Sequence, residues 1–319
     1  AGFLEMMRRT THISSDIPAA ASCLKRGGLV AFPTETVFGL GADASNAKAL
    51  ASIFEAKGRP SDNPLIAHIA SPEWIGTLAS TVPAYAQDLV DAFFPGPLTL
   101  VLPRQPDVLD QLTAGLDTVG VRMPDHPVAL ELIASLGSPV AAPSANSSGR
   151  PSTTRWEDVQ ADLDGKVDII LRSAATRLGI ESTVLDCTGS SPVILRPGSV
   201  TLEDLQLVCP DVGIAESAAE ALGRSPGTRY RHYQPNASVY LVSDRSEIIQ
   251  PEQSAFIGVS KPTGCLLEYL AEDEADYAKH VFSFFRDAER AGITTIHCMR
   301  PSVKGIGKAL LDRLERASW

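Results

Sequence analysis

Short β-branched and leucine-rich runs alternate with amphipathic stretches along the first two-thirds of the chain. Leu29-Val30-Ala31-Phe32 lies between Gly28 and Pro33 and reads as a buried strand. Asn46 then offers an N-cap, and Ala47, Leu50, Ile53 and Phe54 recur at helical spacing, which predicts a helix through Ala56 that stops at Gly58. Further strands are predicted at residues 65–69, 98–102, 119–123, 140–142, 167–171, 182–185 and 193–195. Ser71-Pro72-Glu73 predicts a helix start, with a hydroxyl cap, a proline in the first turn and an acid near the positive end of the dipole. Thr201 and Asp204 have the spacing of a capping box, and their helix closes this unit.

The texture then changes. Residues 221–243 contain no carboxylate, while Arg224, Arg229, Arg231 and His232 crowd together with Pro226, Gly227 and Pro235. A solvated linker is the plain reading. Tyr230 and Tyr233 favour a cationic arm that packs on something and reaches an anion. A smaller unit follows, with strands predicted at 239–242, 255–259 and 295–298 and a long acidic helix through Tyr277, Val281, Phe284 and Phe285. Gly305-Ile306-Gly307 lacks the full dinucleotide fingerprint and reads as a tight turn into the last helix. The pattern predicts an α/β protein with a mixed sheet and a second, smaller α/β unit. The expected boundaries are 10–212, a connecting arm over 213–237, and 238–319.

The chain has 319 residues, enough for two domains with cores of their own. A net charge of −10 argues against a protein that coats nucleic acid. The five cysteines, Cys23, Cys187, Cys209, Cys265 and Cys298, are scattered without C-x-x-C spacing, so reduced thiols in a cytoplasmic protein are expected rather than a zinc or redox motif. No apolar run approaches the roughly 18 residues that span a bilayer. The first nine residues have no signal-peptide pattern, and Met6 or Met7 is a candidate native start.

Four polar constellations stand where predicted strands end, the usual place for ligands in α/β sheets. Residues 33–41, PTETVFGLG, combine hydroxyls with glycines that allow close backbone approach. Residues 57–64, KGRPSDNP, set an ammonium and a guanidinium two residues apart, held stiff by Pro60 and Pro64, which suits phosphate oxygens. Arg122 leaves a strand in VRMP, and APSANSSGRPS at 142–152 adds hydroxyls and an amide. Each alone has a plainer reading: a helix-end cation complements the dipole, Ser/Asn/Gly stretches make turns, and His68 in an apolar strand is a satisfied core histidine. No Walker loop, metal-ligand spacing or Ser-His-Asp order is present.

In this order, 33–41, 57–64, PGPLT at 95–99, 119–127, 143–152, GIESTV at 179–184 and LRPG at 195–198 resemble the YrdC-like family. The arm SPGTRYRHYQP at 225–235 and the C-terminal unit resemble its long, two-domain form. Phe38 replaces an expected Tyr, and Thr228 stands where the arm often has Met. The resemblance implies a twisted mixed-sheet catalytic domain, a smaller Rossmann-like C-terminal domain, and an activity: L-threonine and bicarbonate form a carbamate that attacks the α-phosphorus of ATP. The products are L-threonylcarbamoyl-AMP and pyrophosphate, the former used for threonylcarbamoyladenosine modification of tRNA. It implies ATP contacts from Arg59, Asn63, Thr118, Ser144, Ser152 and Arg196, with Lys57 and Asn146 completing the set. Threonine contacts are implied for Thr36, His68, Arg122, Ala142 and Ser182. Arg122 is the natural partner of the amino acid's carboxylate, and Thr36 or Ser182 that of its hydroxyl. Lys57 and Arg59 are expected to carry catalysis together with Mg²⁺ borne by the ATP phosphates. Arg229, Tyr230 and Tyr233 are expected to cover the nucleotide as a lid. Expected partners are ATP, L-threonine, bicarbonate and downstream tRNA-modifying transferases, with no stable nucleic-acid binding of its own and no membrane. The rival readings are an RNA-binding module, a nucleotide-binding regulator, and a carbamoyl-transfer module of the hydrogenase-maturation type, whose zinc-finger cysteines this chain lacks.

Overall fold

A computed structural model describes residues 9–216, 225 and 230–318. Among these, eleven strands form one mixed sheet and four form a second, wholly parallel one. The large sheet runs in the order β1-β8-β2-β3-β7-β4-β6-β5-β9-β10-β11. Its members are β1 (His12–Ser14), β2 (Val30–Phe32), β3 (Gly39–Asp43), β4 (Ile66–His68), β5 (Leu98–Pro103), β6 (Thr118–Arg122), β7 (Val140–Ala141), β8 (Ile169–Leu171), β9 (Thr183–Asp186), β10 (Val193–Arg196) and β11 (Gly213–Ile214). The small sheet, β12-β15-β13-β14, uses Ser238–Val242, Thr295–Met299, Ala255–Gly258 and Leu267–Leu270. Among the described residues no helix is long and apolar enough to cross a membrane.

Period-two alternation puts a core on each face of the large sheet. Val30, Phe32, Val140 and Ala142 pack with the helices α1 (Ile17–Lys25) and α6 (Pro127–Leu136). Leu29, Ala31, Leu40 and Ala42 face the opposite core with α2 (Ala47–Lys57). That helix starts where expected, with the Asn46 side chain accepting from Ala49 N–H, and stops at Gly58, whose φ of 63° is the left-handed C-cap conformation. Leu202–Val208 carries the capping box at Thr201 and Asp204.

Other expectations need correction. Ser71 does not cap an α-helix: Pro72–Trp74 is a 3₁₀ turn, the Ser71 hydroxyl bonds Glu73, and only Ile75–Leu78 is α-helical. Residues 39–41, expected as part of a ligand loop, form the start of β3. A side chain at Gly41 would press on the Phe32 ring and on Val140, so glycine lets this strand pass between its neighbours. β11 pairs with β10, so the first unit's sheet extends past residue 212 into the segment expected to belong to the arm.

The small sheet is packed by the long helix Glu274–Arg290 and the last helix Ile306–Ala317. Gly305, with φ 55°, is the tight turn into that last helix. Ile180 of the first unit and Tyr233 of the arm are both buried in this second core. Around them lies an ionic seam. Arg286 makes two bonds of 2.9 Å to Asp162 and one of 2.6 Å to the Pro151 carbonyl. Arg150 forks onto Glu289 with two bonds of 2.7 Å, Arg155 joins Asp158 to Asp287, and Arg290 reaches Asp158.

Candidate active site

The β2–β3 hairpin fixes the first wall. Its loop places Thr34, Glu35 and Thr36 in buried positions beside the end of β6. Arg122, the last residue of β6, is held there by three neighbours: the Glu35 carboxylate, the Thr36 hydroxyl at 3.1 Å and the Gly96 carbonyl at 3.3 Å. A guanidinium has five N–H groups, so this arrangement orients Arg122 and still leaves donors for a bidentate ligand. Ser182 precedes β9; its hydroxyl is 2.8 Å from that of Thr99, and its carbonyl accepts from Arg196 at 2.9 and 3.1 Å. Arg59, past the Gly58 cap, folds back so that Nη2 donates to the Pro64 carbonyl at 2.9 Å, while its buried Nε has no hydrogen-bond partner.

These groups meet in one cavity lined by Thr36, Arg59, Arg122, Ala142, Ser144, Glu181, Ser182 and Arg196 and closed over by His232 and Tyr233. The electrostatics are those of an anion site. Burial, and then Arg196, pull the Arg59 guanidinium down to about 10; burial likewise lowers Arg196. Burial and the neighbouring Arg59 and Lys57 hold the His232 imidazole at about 3, so it is neutral, and its Nε2 has no hydrogen-bond partner. A negative ligand would relieve all of these strains at once.

Of the remaining expected residues that the structure describes, only Tyr233 lines this cavity. Lys57 differs most from expectation. It is buried behind the wall, and its ammonium donates to the carbonyls of Ser144 and, at 2.7 Å, Asn146, which pins the loop that presents Ser144. Asn146 in turn donates to the Ser147 and Arg150 carbonyls at 2.9 and 3.1 Å. Asn63 is buried beside Arg59, with its side-chain oxygen unpartnered. The Ser152 hydroxyl is given to Glu181. His68 is buried edge-on to Phe32, its Nδ1 at 3.1 Å from the Ile66 carbonyl; burial, then Arg122, holds it at about 3. Thr118 stands at the other end of β6 from Arg122. Tyr230 does not reach the cavity and donates its hydroxyl to Asp62 at 2.6 Å, in the same loop as Arg59. Tyr233, at φ 63°, stacks on Phe282 with centroids 5.4 Å apart. Arg229 lies outside the described residues.

Sequence reasoning gave no role to Glu35, Glu181, Thr99, His232 or Arg313. The two glutamates carry a signal, since a buried carboxylate requires a cation, but only the structure shows that the cations are Arg122 and Arg313.

The family described as "Telomere recombination" (Sua5_yciO_yrdC) matches residues 22–198, and that described as "Threonylcarbamoyl-AMP synthase, C-terminal domain" matches residues 200–318. The chain is 42% identical to the threonylcarbamoyl-AMP synthase of Pyrococcus abyssi, covering 95% of this chain and 94% of the relative. It is 39% identical to that of Bacillus subtilis, covering 99% and 96%. The crystal structure of P. abyssi Sua5 complexed with L-threonine superposes with a TM-score of 0.89 at 39% identity, covering 97% of each chain. With both domains matched end to end, this chain belongs to the Sua5–YciO–YrdC family, in its long, two-domain form.

Proposed function

We propose that this chain makes L-threonylcarbamoyl-AMP and pyrophosphate from L-threonine, bicarbonate and ATP. The observation that carries the reading is the convergence of three guanidinium groups, Arg59, Arg122 and Arg196, on one small cavity edged by the Thr36, Ser144 and Ser182 hydroxyls. The relatives' name supports the product and the threonine in the P. abyssi complex supports the amino-acid substrate; ATP and bicarbonate are part of the proposal.

The carbamate of threonine is already an anion, so its oxygen needs no strong base to attack the α-phosphorus. The bond to the pyrophosphate oxygen breaks, and pyrophosphate leaves with the electron pair. The obstacle is repulsion between an anion and a polyanion, and fixed cations in a dry cavity lower it. Arg122, held in place by Glu35, is suited to the threonine carboxylate, and Thr36 or Ser182 to its hydroxyl. Arg59 and Arg196 are suited to the phosphates, with Mg²⁺ arriving as part of the nucleotide substrate. Lys57 acts through the Ser144–Asn146 loop that it pins.

His232 and Tyr233 of the arm line the same cavity as Arg59 and Arg196, which supports an arm that opens to admit ATP and closes over the product. The product would pass to transferases that modify tRNA. The test is pyrophosphate release from ATP with L-threonine and bicarbonate omitted in turn: release should require both, and release that ignores either omission would overturn the reading.

A further inference from the structure

We infer that Arg313, on the last helix of the C-terminal domain, is a positioning residue for anion binding: it cancels the negative charge of Glu181 on the cavity wall and keeps that wall positive. The inference rests on reading the cavity as an anion site.

Glu181 lines the same cavity as Arg59, Arg122 and Arg196. A lone carboxylate there would repel a polyphosphate and compete with it for the guanidinium groups, since Glu181 also attracts Arg196. From its own unit Glu181 receives the Ser152 hydroxyl. The C-terminal domain supplies the charge. Arg313 is wholly buried, and its Nε donates to Glu181 Oε2 at 2.8 Å. Nη2 donates to the Glu181 carbonyl at 3.2 Å, and Nη1 to the Pro197 carbonyl at 2.7 Å, next to Arg196, and to Asp312 at 2.8 Å, a carboxylate that Arg316 also pairs. One guanidinium therefore spans the two segments that carry Ser182 and Arg196, and its carbon lies 5.6 Å from the centre of the Tyr233 ring. The segment before Glu181 is tied to the same domain: Gly179, at φ 85°, lies flat on the backbone of Ala278 and Lys279, and Ile180 enters the C-terminal core.

An ion pair that merely joins two domains and one that sets the potential of a cavity differ when both charges are removed. Equilibrium binding of inorganic pyrophosphate to the full chain separates them, by calorimetry on the wild type, R313M, E181Q and the double variant. Leaving Glu181 uncompensated should weaken pyrophosphate binding about tenfold or more in R313M. The double variant should return to within about threefold of the wild type, and E181Q should bind at least as tightly as the wild type, because the opposing charge is gone. Wild-type binding in R313M, or a double variant as weak as R313M, would overturn the inference. If R313M does not fold, the other two decide: wild-type affinity in both supports it, and a tenfold loss in both overturns it. The readout needs no turnover, so an absence of threonine-dependent pyrophosphate release would remove the proposed reaction and leave this result standing on its own.

Discussion

Two sets of buried cations, one on the cavity wall and one along the domain seam, use the same residue types to opposite ends. On the wall, Arg59 meets backbone carbonyls and burial lowers its affinity for its proton, as it does for Lys57 behind it. Along the seam each guanidinium meets carboxylates. Hydrogen bonding to Glu289 raises Arg150, and for Arg155 and Arg313 a large burial penalty is outweighed by Asp287 and Asp158 and by Glu181. A cation held below its ordinary affinity stores binding energy for an anion that is yet to arrive, whereas one held above it has already spent that energy on architecture. Burial alone does not separate a site from a scaffold, and the partner does so for Arg59 but not for Arg122, which lines the cavity while paired with the Glu35 carboxylate.

The contrast is open to direct attack. The largest effect is expected for Arg59→Met: loss of pyrophosphate release by about a hundredfold or more, with a melting temperature no lower than the wild type, because a poorly compensated buried charge is removed. A large fall in melting temperature would place Arg59 with the scaffold. Arg286→Met should do the reverse. It takes the donor from the Pro151 carbonyl and the ion-pair partner from Asp162, which keeps the Ser147 N–H, in a seam where the Arg286 and Asp162 side chains are under a tenth exposed, costing about 3 kcal/mol in denaturant titration. The variant should retain more activity than Arg59→Met where it is folded, and equal loss in the two would erase the distinction.

Acid should find the seam next. Arg286 overcomes burial to hold Asp162 below its ordinary range; Arg313, then Arg196 and the Ser152 hydroxyl, do the same for Glu181, and Arg150 for Glu289. A depressed carboxylate contributes stability that is complete above its unfolded value, about 4, and lost as pH falls through its lower folded value. Stability should therefore hold from neutrality to about pH 5 and decline below pH 4, and a melting temperature that is flat down to pH 2 would deny the seam its weight. The smallest effect is expected for Tyr230→Phe, which removes the hydroxyl bond to Asp62 at the foot of the arm. A few-fold rise in KM for ATP with folding unchanged is the expected outcome, and an unchanged KM would make that contact incidental.

Much of this was legible in the chain itself, and what was not has physical causes. Leu29–Phe32 and Asn46–Gly58 announce a strand and a capped helix because burial, capping and the glycine stop agree locally. β3 was hidden because its glycines, required by the Phe32 ring and Val140, suppress the usual strand composition. β1, β11 and β14 are short or half-exposed and lack a clear alternation. At the site, the loops carrying Arg59, Arg122 and Ser144 stand out as polar constellations, and Ser182 and Arg196 enter through the resemblance to the YrdC-like family; their shared cavity depends on sheet order, which no local pattern encodes. Lys57 was read as a ligand because a helix-end ammonium looks the same whether it faces phosphate or carbonyl. Arg313 lies 132 residues from Glu181, and nothing near either residue names the other.

The bare backbone contact at Gly179 makes the two halves of the molecule a single mechanical object. A lone methyl group there would collide with the main chain of Lys279 and, at a φ of 85°, would also be conformationally strained. Prising the surfaces apart by even an atom's width would drag on Ser182, three positions along, and thereby shift the cavity wall. The smallest residue in the protein thus sets a tolerance: the distance between domains is a dimension of the cavity.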